Sequence, residues 1–300
     1  MRCRSKRVTA LLRLTMAGTI VVSVVALRAG AQSAPGDSVT FVGAGDIANC
    51  DTLGPARATA RLLDRIDGTI FTLGDHAYKH GDAQDFRECY GPTWGRHKAR
   101  TRPTIGNHDT ITSRGRPYFD YFQDQAGPER RGYYSFELGA WHIVSLNSEA
   151  SVKPDSPQVT WLREDLAAHP TDCSLAYWHV PRFSSGPEND KSLSDVWHVL
   201  YAAGVDVVLN GHEHAYERFA PQDDQGRPDP ARGIREFIVG TGGGALDRLS
   251  RTAPNSEIRE DHTFGVLKLT LRAHDYVWEF VPIAGQRFRD AGSAPCSPTR

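Results

Sequence analysis

Excess charge of one sign is missing from this 300-residue chain: 35 Lys and Arg stand against 36 Asp and Glu, a formal net charge of −1. No basic stripe breaks that balance, so no nucleic-acid partner is implied and any anion must be bound locally. Long apolar runs are missing as well. The apolar stretch from Leu14 to Leu27 falls short of the roughly 20 residues that span a bilayer, which argues against a membrane anchor. No Cys-x-x-Cys spacing occurs, which argues against a thiolate metal clasp. Arg2, Arg4 and Arg7 are separated, so the arginine pair of a twin-arginine signal is absent and general secretion is the expected route. The run Gly240-Thr241-Gly242-Gly243-Gly244 lacks the lysine of a P-loop and reads as a tight turn. No internal repeat is evident.

What remains is an ordinary globular composition, 39% hydrophobic and 24% charged, enough for an extensive core. The basic start Met1 to Arg7, the apolar stretch after it and Ala29-Gly30-Ala31 form the pattern of a secretory signal peptide over residues 1–31. The mature chain, 32–300, is expected to be one domain of mixed α/β class. Helices are expected from Pro55 to Asp67, from Pro157 to a stop before Pro170, and from Leu193 to Ala203. Between them lie a mostly helical excursion from His80 to Arg102 and a hairpin turning at Gly139-Ala140. Val266 to Leu271 and Tyr276 to Val281 form a last hairpin, and the tail after Gly285 reads as loop. His142 and His198 are expected to be structural.

Five apolar runs end in metal-ligand residue types. Val39 to Val42 leads to Gly45-Asp46, Thr69 to Leu73 to Gly74-Asp75, and Arg102 to Ile105 to Gly106-Asn107-His108-Asp109. Leu175 to Trp178 leads to His179, and Val205 to Leu209 to Gly211-His212-Glu213-His214. Ligands in open α/β sheets gather beyond the carboxyl ends of strands, so these five ends are expected to converge. His212 and His214, two residues apart, would point the same way if the backbone stays extended, and Gly211 permits a close approach.

In order and wording, Gly45-Asp46, Gly74-Asp75-x-x-Tyr78, Gly106-Asn107-His108-Asp109, the lone His179 and Gly211-His212-Glu213-His214-Ala215-Tyr216-Glu217-Arg218 resemble the calcineurin-like metallophosphoesterases. Within them the resemblance is to the purple acid phosphatases. Asp46-Ile47-Ala48 lacks the His that most of the superfamily places two residues after that Asp, and Tyr78 stands three residues after Asp75, as in the purple enzymes. The resemblance implies a four-layer α/β/β/α sandwich of two mixed sheets. It implies two metal ions, one held by Asp46, Asp75, Tyr78 and His214, the other by Asp75, Asn107, His179 and His212, with Asp75 bridging. The oxygen-rich set suits Fe(III) and the imidazole-rich set suits Zn, Mn or Fe(II). A shared water, its pKa lowered by both ions, would attack a small-molecule phosphate monoester. His108 would protonate the leaving group with Asp109 as its orienting partner, and Asn107 and His108 would meet the substrate. The histidines that purple acid phosphatases carry beyond the lone ligand His are missing from Val180-Pro181-Arg182-Phe183-Ser184-Ser185-Gly186, which makes Arg182 a candidate phosphate contact. A phosphodiesterase or phytase-like activity is the close alternative. A non-catalytic secreted binding protein is the remoter one, and the intact ligand set argues against it.

Cys50, Cys89, Cys173 and Cys296 remain after the signal, an even number that suggests two disulfides in one of three pairings. Cys50 follows the first metal motif and Cys89 the second, on loops expected to lie side by side, which favours Cys50–Cys89 with Cys173–Cys296.

Overall fold

The computed structural model describes residues 38–297; the expected signal peptide, with Cys3, lies outside them. Every apolar run tied to a ligand motif forms a strand, namely Val39–Ala44, Thr69–Leu73, Thr101–Thr104, Cys173–Tyr177 and Val207–Asn210. The first three lie side by side and parallel at one edge of a six-stranded sheet. That sheet continues antiparallel through Gly265–Leu271, Asp275–Pro282 and Ala291–Pro295. The other two are parallel neighbours inside a seven-stranded sheet ordered Ser256–Glu260, Tyr216–Phe219, Arg235–Val239, Val207–Asn210, Cys173–Tyr177, Trp141–Ser145, Tyr134–Leu138. Both sheets mix parallel and antiparallel pairs.

Side chains alternate across a strand, and that period decides which layer each residue joins. In the second sheet Ile143, Leu175, Tyr177, Val207 and Leu209 join the core shared with the first sheet. Their neighbours Val144, Ala176 and Val208 pack instead with Val159, Leu162, Val196, Trp197 and Leu200 of the helices Pro157–Ala168 and Ser194–Ala203. Aromatic rings lock sheet to sheet: Phe41 lies 5.8 Å from Tyr177, Trp141 5.7 Å from Tyr276 and Phe237 5.8 Å from Trp278. Burying each such large side chain contributes roughly 1.5–3 kcal/mol. The helix Gly54–Leu63 buries Ala56, Ala60 and Leu63 against the first sheet's side of the core. Helix, sheet, sheet and helix make the expected α/β/β/α sandwich.

Local signals placed most boundaries. Pro157 opens its helix with the Ser156 hydroxyl accepting from the Val159 amide, and Gly204, at φ +82°, closes the helix Ser194–Ala203. Gly139, at φ +62°, turns the hairpin Tyr134–Leu138 to Trp141–Ser145. Two expectations need correction, and one strand was unforeseen. The first helix stops at Leu63 rather than Asp67, because the Arg100 guanidinium reaches in and takes the carbonyls of Leu63, Ile66 and Gly68. The tail is no loop: Ala291–Pro295 is an edge strand on Asp275–Pro282. Its Ala-Gly-Ser-Ala-Pro sequence has little strand propensity, but Gly292 lets the strand lie on Trp278, whose ring would sit 2.3 Å from a Cβ there. Ser256–Glu260, unassigned from sequence, pairs with Tyr216–Phe219.

Both favoured disulfides are present, Cys50–Cys89 and Cys173–Cys296, with Cα separations of 5.3 and 5.4 Å. Among the described residues no helix is long and apolar enough to cross a membrane.

Candidate metal centre

The five strand ends meet where the carboxyl edges of the two sheets face each other. Asp46, Asp75 and His179, all buried, bring one donor atom each to within 4.8 Å of one another. Around this nucleus the other donors fall into two groups. On one side the Tyr78 hydroxyl lies 2.8 Å from Asp46 Oδ1 and 2.9 Å from His214 Nε2. On the other, His179 Nε2 lies 2.8 Å from Asn107 Oδ1, 3.1 Å from His212 Nδ1 and 3.5 Å from Asp75 Oδ2.

Building this knot requires backbone that side chains rarely adopt. Asp46, Asp75 and His212 have φ of 59, 50 and 69°, each a strain of order 1–3 kcal/mol that the surroundings must hold in place. They are held by the bonds Asp46 N–H to Gly74 O, Ile47 N–H to Asp75 O, and His212 N–H to Asp46 Oδ2. Two glycines make the crowding possible. A Cβ on Gly106 would lie 2.2 Å from Asp75 Oδ1, and one on Gly211 would lie 2.7 Å from Leu73 O. The left-handed His212 corrects the expectation of an extended His-x-His. The two imidazoles enter different groups of the centre, and Glu213 between them turns away. The glycine run after Val239 is a strut: the amides of Gly242 and Gly244 donate to the carbonyls of Gly45 and Asp46.

Charge explains what the site wants. Burial disfavours protonation of His179, yet Asp75 outweighs it and holds the imidazole up at about 10. His214, partly buried, is held up at about 9 by Asp46. Burial and the neighbouring His179 push His212 down to about 4. Burial and both carboxylates push the Tyr78 phenol well above 10. Two buried carboxylates therefore favour positive charge beside them, which metal cations could supply. Far ring nitrogens are already committed: His179 Nδ1 donates to Leu73 O at 2.6 Å and His214 Nδ1 to Ala245 O at 2.5 Å. That leaves Nε2 of each facing inward, the arrangement of metal-ligating histidines. Carboxylates, a phenol, a carboxamide and three imidazoles in two groups around Asp75 fit a pair of cations.

His108 stands at the mouth, its Nδ1 donating to Lys79 O at 2.7 Å and its Nε2 4.0 Å from Asp75 Oδ2, with the ring packed on Tyr78. Asp109 is not its orienting partner. Asp109 is fully buried, and its carboxylate accepts from the amides of His76 and Gly106 and lies 2.9 Å from His76 Nδ1. His76, which sequence reasoning passed over despite its place beside Asp75, sits in a box of Phe86, Tyr90, Tyr118 and Phe122. Asp109 thus braces the two ligand loops instead. Arg182 is not brought to the centre either. Its Nε donates to Ser194 Oγ, its guanidinium lies on the Phe183 ring, and it lines a cavity of about 270 Å³ that contains none of the seven donor residues. His142 pairs with Glu137 and Asp165 and His198 with Asp224, none of these partners being among the seven donor residues.

Two facing mixed sheets with this donor cluster at their common edge define a metallophosphoesterase type of fold. Residues 39–216 match the family described as calcineurin-like phosphoesterase. The chain is 29% identical over 260 residues to purple acid phosphatase 18 of Arabidopsis thaliana, covering 76% of this chain and 55% of that protein. It is 31% identical over 269 residues to purple acid phosphatase 21 of the same plant, covering 79% and 58%. Among solved structures, purple acid phosphatase PPD1 from yellow lupin (Lupinus luteus) seeds superposes with a TM-score of 0.72 over 89% of this chain and 55% of its own, at 20% identity, a likeness of fold. The chain belongs to the calcineurin-like phosphoesterase family, with purple acid phosphatases as its relatives, and it spans little more than half the length of those relatives.

Proposed function

We propose that this chain is a secreted phosphatase that hydrolyses small-molecule phosphate monoesters at a two-metal centre. One observation carries the reading: seven donor residues from five strand ends converge in two groups on either side of Asp75. Asp46, Tyr78 and His214 would hold one ion, and Asn107, His179 and His212 the other, with Asp75 shared. The first group's hard oxygens suit Fe(III), and the second group's imidazoles suit Zn, Mn or Fe(II). When bound, the two ions would neutralise the phosphoryl charge and lower the pKa of a water enough to attack phosphorus.

The chain's own residues do the rest. Lys79 O fixes the proton on His108 Nδ1, so Nε2 is the end presented at the mouth. Protonated there, His108 donates to the departing alcohol oxygen, which otherwise leaves as a poorly stable alkoxide. Asp109 and His76 keep the loops of Asp75 and Asn107 in register, so the donors do not drift apart between turnovers. Two disulfides and the basic-then-apolar start support export to an oxidising compartment.

The test is hydrolysis of p-nitrophenyl phosphate against its bis ester over a range of pH, with metal analysis of the same sample. Monoester turnover with two ions per chain is expected. Faster turnover of the bis ester would move the reading to a phosphodiesterase, and two bound ions with neither activity would leave a binding protein.

A further inference from the structure

Glu213 stands between two proposed ligands but turns from the centre into the loop that runs over residues 184–188. Its Oε1 accepts from the Glu188 amide at 2.6 Å, and Gly186 packs so close that a Cβ there would lie 1.8 Å from Oε2. The same loop is tied from two other sides. Arg251 donates to the carbonyls of Ser185 and Gly186, and Ser185 donates its amide and hydroxyl to Glu217. A loop anchored this firmly sends one side chain back to the centre: Glu188 Oε2 lies 2.9 Å from His212 Nε2.

We propose that Glu188 is a positioning residue that keeps the His212 proton on Nε2 and so aims the Nδ1 lone pair into the metal centre. The proposal rests on reading His212 as a ligand. A neutral imidazole carries one proton, and the acceptor on one nitrogen decides which nitrogen is left free to bind an ion. His179 and His214 lean on backbone carbonyls, which no substitution removes. His212 leans on a side chain that is 62% exposed. Its aim is therefore set by the 184–188 loop and, through Glu213, by the very motif that contains it.

The experiment compares the full chain with Glu188→Ala, Glu188→Gln and His212→Ala, each stripped of metal and titrated with Zn²⁺ against a chromogenic chelator. For Glu188→Ala one ion should bind as in wild type while the Kd of the other rises roughly 10–100-fold, the usual effect of losing such a partner. Glu188→Gln, whose carboxamide oxygen still accepts from Nε2–H, should stay close to wild type. Long-range ¹⁵N correlation spectra of the metal-free proteins should show His212 as the Nε2–H tautomer in wild type and Glu188→Gln, and as a mixture in Glu188→Ala. An unchanged tautomer and unchanged Kd in Glu188→Ala, with His212→Ala weakened, would overturn the role of Glu188 alone. Two ions retained at full affinity by His212→Ala would overturn the ligand reading beneath it.

Discussion

Cutting the Cys50–Cys89 bridge should loosen the metal centre, whereas cutting Cys173–Cys296 should destabilise the fold more and leave the centre intact. The first bridge closes 39 residues and joins the segment after Asp46 to the helical excursion after Tyr78. Between them run the paired strands Ala48–Asn49 and Ala77–Tyr78. The second closes 123 residues and pins the edge strand Ala291–Pro295 to the start of Cys173–Tyr177. At about 3.3 Å per residue that start lies roughly 20 Å of strand from His179. Loop-closure entropy gives about 13 cal/mol/K for the short loop and about 16 for the long one, or about 4 and 5 kcal/mol at 25 °C. The two orders should thus be opposite: the long loop costs more stability, the short loop more metal. Cys50→Ser/Cys89→Ser and Cys173→Ser/Cys296→Ser are compared by denaturant unfolding of metal-free protein and by metal titration of folded protein. A loss under about 1 kcal/mol in either variant would refute the loop-closure reasoning. Equal metal affinity in the two variants would refute the idea that Cys50–Cys89 steadies Asp46 and Tyr78.

Four further outcomes are expected. Because burial and two carboxylates hold the Tyr78 phenol well above 10, only a strongly charged ion ionises it at neutral pH, so iron-loaded wild type should show a visible phenolate band that Tyr78→Phe loses; a colourless iron-loaded wild type rules this out. His108→Ala should keep both ions yet turn over alkyl phosphates about 10²–10⁴-fold more slowly, with a smaller loss on p-nitrophenyl phosphate; equal losses on both would remove His108 as the acid. Asp109→Ala leaves the His76 and Gly106 amides and the His76 ring without their acceptor, and it should cost about 3–5 kcal/mol in denaturant unfolding, a loss below about 1 kcal/mol speaking against its bracing role. Burial pushes Asp206 up to about 6, so the folded chain keeps a proton that the unfolded chain, near 3.9, has already released. Its stabilisation is complete below about pH 4 and fades as pH rises through about 6, a fall of about 3 kcal/mol that unfolding free energies of Asp206→Asn should not show.

Where a residue's role follows from its own stretch of chain, the sequence was enough. Apolar runs of strand length ending in Gly-Asp, Gly-Asn-His or Gly-His-x-His announced both the strands and the residues at their ends, because strand period and glycine's backbone freedom act over a few residues. The same locality placed one helix start at Pro157, another at Leu193, one residue before the observed Ser194, and the turn at Gly139. Even the disulfides could be chosen among three pairings, since Cys50 and Cys89 each follow a recognisable motif and leave Cys173 and Cys296 to pair.

Partners chosen across space were not legible. Asp109 follows His108 directly, yet its carboxylate faces His76, because the helix at Asn107–Ile111 sends successive side chains in different directions. Arg182 follows His179 by three residues but is drawn off by Ser194 and the Phe183 ring. The extended His-x-His expected from strand geometry gave way to a left-handed His212, whose strain is held by Asp46, 166 residues away in sequence. Ala291–Pro295 became a strand through a neighbour and a disulfide rather than through its own residues. Which residues stand at the strand ends, and the chemistry they can offer, could be read from short stretches of chain. Which of them touch could not, because a contact between segments far apart in the chain is selected by the packing of two whole sheets, which no short window of residues encodes.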